Sequence, residues 1–199
     1  WGALAVLGFS VTWSSFVTFW PTFAQDTMGM TEGRTGVVLG FTSAGILPFS
    51  LLAPVILRRV GRRVPVMVGV MLLQVPFFGL MLVTDNLPAL IALSCLQGVG
   101  AMMFAVVLTM PFQLPGVTPR ETAAATAIIG VVSMGGLAAG PAAVGMIGEV
   151  ASLGLGLAIA AFMPLVSATG AFGMGEPKTG AGTAIHAAPL PPGEVAARS

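Results

Sequence analysis

The chain has 199 residues, 56% of them hydrophobic and 8% charged. Soluble domains carry about 25% charged residues, so this composition excludes a water-facing globular surface and leaves lipid as the main solvent. The net charge of +1 names no nucleic-acid or acidic partner, and a single cysteine, Cys95, excludes a disulfide within the chain.

A membrane-crossing helix needs about 20 mainly apolar residues. Six runs reach that length: Ala3–Phe23, Thr35–Leu57, Val64–Val83, Leu87–Phe112, Ala123–Ile147 and Leu153–Phe172. They are too long for barrel strands of about 9–11 residues, and they do not alternate. The expected fold is an all-α integral membrane bundle over residues 1–174. A Gly-, Ala- and Pro-rich segment, 175–199, follows with no apolar face to bury and is expected to be a disordered cytoplasmic tail. The chain opens on Trp1, at the start of a membrane segment and without an initiator Met, which predicts that it is the downstream piece of something longer.

In the first run Ser10, Trp13, Ser14, Val17 and Thr18 fall near one helical face. Lipid satisfies no polar group, so such a face turns toward protein or a cavity, although Ser and Thr also bond back to their own helix. Trp13 lies mid-membrane, away from the interface where Trp is commonest, while Trp20 lies near the run's outer end and reads as an interfacial anchor. Between the second and third runs stands Arg58-Arg59-Val60-Gly61-Arg62-Arg63. In the fourth run Ser94, Gln97, Ala101 and Phe104 share a face, and Cys95 reads as a small packing residue. Gln97 brings two donors and an acceptor that need partners. In the fifth run Gly136, Gly140 and Gly145 recur at about one helical turn, a spacing for close helix packing or for a bending point.

Orientation follows from the bias of short loops. With alternating helices, Arg58, Arg59, Arg62, Arg63, Arg120, Lys178 and Arg198 share one side and Arg34 alone takes the other. The basic side is expected to be cytoplasmic, so both termini of the segment face the cytoplasm. Thr31, Thr35 and Pro54 align at one constant offset with Thr118, Thr122 and Pro141, and Gly61 with Gly148. Three helices followed by three of opposite topology is the inverted repeat of many secondary transporters.

No Asp, Glu, Lys, Arg or His lies deep in a run, so this segment offers no intramembrane proton relay of the usual kind. His186, in the tail, is the only histidine. Serine-protease chemistry therefore has no membrane base, metal-ligand clusters are missing, and no phosphate loop is present. The basic residues are few and hug the membrane, which gives nucleic-acid binding no support. An enzyme is not expected, nor is a cofactor or metal.

Three patterns carry a resemblance to the major facilitator superfamily, over all six runs. Pro54-Val55-Ile56-Leu57-Arg58-Arg59-Val60-Gly61-Arg62-Arg63 resembles that family's loop between helices two and three, Gly-x-Leu-Ala-Asp-Arg-x-Gly-Arg-Arg, with Arg58 in place of the Asp and Pro54 in place of the leading Gly. Ser94-Cys95-Leu96-Gln97-Gly98-Val99-Gly100-Ala101 resembles the Arg-x-x-Gln-Gly-x-Gly-Ala signature of helix four, with Ser94 in place of the Arg. Gly136-Leu137-Ala138-Ala139-Gly140-Pro141, followed by Gly145, resembles the Gly-x-x-x-Gly-Pro segment of helix five or eleven.

The resemblance implies one six-helix half of a twelve-helix permease. The lost charges and the polar tail favour the C-terminal half, and the plasma (inner) membrane is the expected location. The implied partners are a small-molecule solute, the lipid bilayer and either the missing half or a second copy. The first and fourth runs would line the cavity, making Ser10, Trp13, Ser14, Thr18, Ser94, Gln97 and Phe104 its candidate residues. Arg58, Arg59, Gly61, Arg62 and Arg63 would set topology or form a cytoplasmic gate, and Gly136, Gly140, Pro141 and Gly145 would pack or bend the fifth helix. A six-helix segment without transport of its own, truncated or a scaffold, is the alternative. A channel has no readable ring of charges or filter loop behind it.

Overall fold

Polar residues at the edges of the apolar runs decide where the helices begin. Thr31, Asn86, Thr118 and Ser152 each accept a hydrogen bond from the backbone three residues on, capping four helix starts. In the computed structural model, which describes residues 1–113 and 116–175, the elements are α1 (Gly2–Asp26), α2 (Glu32–Val60), α3 (Arg63–Met81), α4 (Leu87–Gln97), α5 (Gly100–Thr109), a 3-10 turn (Met110–Gln113), α6 (Pro119–Val150), α7 (Leu153–Phe162) and α8 (Pro164–Met174). Helices fill the described part, and six spans are long and apolar enough to cross a membrane: α1, α2, α3, α4–α5, α6 and α7–α8. The tail expected from residue 175 onward, with Lys178, His186 and Arg198, lies outside the described residues beyond Gly175.

Two differences from the apolar runs have clear causes. α6 starts at Pro119, ahead of the run at Ala123, because Thr118 and Glu121 form a reciprocal capping box: Thr118 Oγ1 accepts from Glu121 N at 3.3 Å, and Glu121 Oε2 accepts from Thr118 N at 2.8 Å. This first turn is polar, so hydropathy misses it. Thr118→Ala is expected to cost about 1 kcal/mol of stability. Faster amide hydrogen exchange at residues 120–122 would register the loss; unchanged exchange would refute the cap.

The fourth and sixth spans are each interrupted. At Gly98 and Val99 the amides bond three residues back, to Cys95 O at 3.2 Å and Leu96 O at 3.0 Å, the tighter 3-10 pattern. In the sixth span Met163 N bonds Ala160 O at 3.1 Å, and Pro164, which has no N–H, starts α8.

α1 is the hub of the bundle, packing on α6, α7 and α8 and touching α2 and α5. α2 packs on α4 and α5, and α3 on α8 and α4. Glycine allows the closest approaches, which in lipid rest on van der Waals fit. A Cβ on Gly140 would come within 2.6 Å of Val11 O, and one on Gly136 within 2.9 Å of the Ser10 Cβ. Gly45 of α2 and Gly98 press their backbones together, and Gly8 meets the Met163 carbonyl at the break in the sixth span.

The core has two parts. At the arginine-loop end, Met67, Met71, Met102, Met103 and Met110 pack with Val106 and Ala171, adaptable side chains that fill irregular gaps. At the opposite end Phe16, Trp20, Phe23 and Phe78 dominate. Trp20 therefore corrects the interfacial-anchor expectation. It is fully buried, tilted 5.5 Å from Phe16, and its indole N–H donates to Met81 O at 3.4 Å. The polar partner that a Trp at an interface takes from headgroups is supplied here by the end of α3.

Candidate functional site

The break in the fourth span sets up the most unusual chemistry in the bundle. A regular helix would direct Ala101 N to Gln97 O, but that amide bonds Gly98 O at 3.0 Å instead. Gln97 O then accepts from the side chain of Gln74 on α3, whose Nε2 lies 3.2 Å away. Gly100 makes room for this bridge: a Cβ there would fall 2.7 Å from the Gln74 carboxamide carbon and 2.5 Å from the Phe9 ring.

Both glutamines are almost wholly enclosed, Gln74 at 2% exposure and Gln97 at 3%. Their Oε1 atoms are nonetheless without a hydrogen-bond partner, as is Ser15 Oγ. A buried acceptor left unpaired costs about 1–3 kcal/mol. Two such oxygens lie on neighbouring helices, α3 and α4.

An aromatic cluster adjoins them. Phe9 stacks on Trp13 of the same helix at 6.2 Å between ring centroids and meets Phe104 of α5 at 6.3 Å. Trp13 and Phe104 are half-buried. Among the cavity candidates, these two are brought together through Phe9, and Gln97 lies against the same wall through Gln74 and Gly100.

The serine candidates already have partners. Ser10 Oγ is 2.8 Å from Ser133 Oγ of α6, tying the α1–α6 contact. Ser14 Oγ bonds Ser10 O and Val11 O at 2.9 and 3.2 Å, and Ser94 Oγ bonds Ile91 O at 2.9 Å, each within its own helix. Thr18 is exposed, as is Val17 beside it.

In the arginine loop, Gly61 ends α2 in the left-handed conformation at φ 68°, its N–H on Leu57 O at 2.9 Å. Arg62 then caps α3 in an extended conformation. Gly61 is required here because a side chain at that φ is strained. Arg58, Arg59 and Arg62 are exposed and Arg63 half-buried, and Arg58 Nε donates to Pro54 O at 3.4 Å. Gly136 and Gly140 are buried against α1, a Cβ on Gly145 would lie 3.3 Å from the Phe19 ring, and Pro141 sits half-buried inside the unbroken α6.

Sequence reasoning passed over Phe9, Gln74, Thr12 and Ser167. Gln74 carried a usable signal, since a glutamine inside an apolar run raises the same need for partners as Gln97. Thr12 Oγ1 donates to Ala160 O at 2.8 Å, and Ser167 Oγ accepts from Phe9 N at 2.8 Å, so α1 stitches the break in the sixth span. Nothing in the order of residues pairs them. Among the described residues no group of His, Cys, Asp and Glu could hold a metal ion.

Six apolar spans, two of them interrupted and bridged by neighbouring polar side chains, define a polytopic α-helical membrane protein. The family model of the Major Facilitator Superfamily matches residues 2–196, and the chain belongs to that superfamily. Its members are transporters and not enzymes, so this is a protein of transporter type, integral to a membrane. No curated protein matches the chain.

Proposed function

We propose that the chain is one six-helix half, the C-terminal one, of a secondary transporter in the plasma (inner) membrane that moves a small solute by alternating access. Membership of the superfamily across nearly the whole chain is the observation that carries this reading. The arginine-loop end faces the cytoplasm by the bias of its loops. The three-plus-three inverted repeat is supported by equivalent caps, Thr31 on α2 and Thr118 on α6. It is also supported by equivalent packing. Exchanging the first span for the fourth, the second for the fifth and the third for the sixth turns the α1–α6 contact into the α4–α2 contact and returns α3–α8 to itself.

In this reading the solute meets Trp13, Phe104 and the Gln97 region from the cavity side. The wall offers aromatic faces and uncharged polar atoms, which suits a neutral or hydrophobic solute carrying a hydrogen-bond donor. A fixed charge, if the solute has one, is met by the other half. α2 and α6 are the two spans least buried within the bundle, and they present small exposed residues such as Gly36, Gly40, Ala138 and Ala142. These faces suit close packing by the missing half or a second copy. The arginines of the loop serve topology and the cytoplasmic gate.

The test uses the full-length protein in proteoliposomes, with Cys95→Ala and Trp13→Cys as the only other changes. A membrane-impermeant maleimide is applied from either side during flux measurements on a panel of neutral, cationic and anionic solutes. Labelling of position 13 from both sides, in a ratio shifted by the transported solute, is the expected result. Labelling from one side only, with no solute moved by the protein that keeps Trp13, would overturn the proposal.

A further inference from the structure

The break in the fourth span has no covalent cause. The sixth span is interrupted where Pro164 lacks an N–H, but no proline stands between Pro88 and Pro111. The amides of Gly98, Val99, Ala101 and Met102 instead each bond three residues back, at 3.0–3.2 Å. Their backbone is close to a regular helix: Gly98 lies at φ −56°, ψ −18° and Val99 at φ −56°, ψ −31°. A few tens of degrees in ψ would return Ala101 N to Gln97 O. That carbonyl is held at present by Gln74 Nε2, while Gln97 Oε1, on the same residue, is buried without a partner.

We propose that the fourth span has a second, unbroken state and that Gln74 is the positioning residue that switches between the two. In the broken state Gln74 Nε2 donates to the Gln97 carbonyl. In the unbroken state Ala101 N takes that carbonyl, and Gln74 Nε2 turns to Gln97 Oε1 on the same residue. Each state satisfies the carbonyl and uses the one donor. Gln74 Oε1 is unpaired in both, so it favours neither. The surroundings divide the span into a fixed and a moving part. Leu90 of α4 packs among Phe16, Trp20 and Phe78, and Gly98 is pressed against Gly45. α5 instead packs through Met102 and Met103 against Met67 and Met71, side chains that repack easily. Changing Gly98 and Val99 from the 3-10 to the α twist turns α5 by about 40°. That rotation carries Phe104 across the face where it meets Phe9, now 6.3 Å away. The switch stands apart from the transport reading, since it is read without a solute.

The experiment places spin labels at Ala92→Cys and Thr109→Cys, both exposed, in the full-length protein carrying Cys95→Ala, and measures their separation by pulsed electron paramagnetic resonance in lipid nanodiscs. An unbroken helix sets the two α-carbons about 25 Å apart at 1.5 Å per residue. Two separations are expected, one of them at this value. Gln74→Met removes the donor that holds the Gln97 carbonyl in the broken state and raises the unbroken population. Gln97→Leu removes the acceptor that Gln74 takes in the unbroken state and raises the broken one. Each shift is about fivefold, the change made by one net hydrogen bond. Opposite shifts from two neighbouring deletions are what a merely structural glutamine pair would not produce. A ratio that neither variant moves, that only one moves, or that both move the same way would overturn the proposal. Should Gln74→Met fail to fold, Gln97→Leu decides alone: a broken population that does not rise would overturn it.

Discussion

Gly98→Leu is expected to yield no folded protein from the membrane. The α-carbon of Gly98 lies against the backbone of Gly45, and a Cβ there would overlap the Gly45 carbonyl group. Neither side can give way by rotating a side chain, because both are backbone. Overpacking typically costs about 1–3 kcal/mol and sometimes more. Separating α2 from α4–α5 would add the loss of the contact itself, one of the largest in the bundle. Gly79→Ala is the control. Its Cβ would meet nothing within 4 Å, and replacing a helical glycine by alanine stabilises by about 0.5–1 kcal/mol. The measurement is the yield of monodisperse protein and its melting temperature in detergent. A Gly98→Leu protein that melts like the parent would show that α2 and α4 do not approach this closely.

Gln97→Leu is expected to move stability and function in opposite directions. The Gln97 side-chain oxygen is buried and unpaired, and removing such an acceptor recovers about 1–3 kcal/mol. The carbonyl that receives the Gln74 bond is backbone and survives the change. The variant should therefore melt higher than the parent. Under the proposed function it should also lose solute flux, because the wall behind Trp13 and Phe104 loses its polar side chain. A lower melting temperature would mean that Gln97 Oε1 is satisfied in the membrane and is structural. A higher one with unchanged flux would remove Gln97 from the solute path.

Much of this protein was legible in its residues. The six spans follow from run length, since a lipid interior allows only helices with all backbone bonds satisfied internally. Family membership was readable from the Arg59-x-Gly61-Arg62-Arg63 loop and from Gln97-Gly98-x-Gly100-Ala101, whose glycines are placed by backbone demands that leave a sequence trace. Gly136 and Gly140 stood out by their one-turn spacing, and in the bundle both lie against α1. The caps at Thr31 and Thr118 were visible as repeated letters but not as helix starts, since their polar first turns interrupt the hydropathy signal.

What lay beyond the sequence is every pairing between distant segments. Gln74 with the Gln97 carbonyl, Thr12 with Ala160, Ser10 with Ser133 and the aromatic contact of Phe9 with Phe104 join residues whose separation in the chain carries no information about their distance in space. The same holds for Trp20, which reads as an interfacial anchor from its position in the run and becomes core because α3 ends beside it and offers the Met81 carbonyl. Local chemistry settles whether a segment is a helix and roughly where it stops, because backbone hydrogen bonds reach only four residues along the chain. Which faces meet, and which buried oxygens are left without a donor, depends on six helices packing at once, and only the tertiary structure decides that.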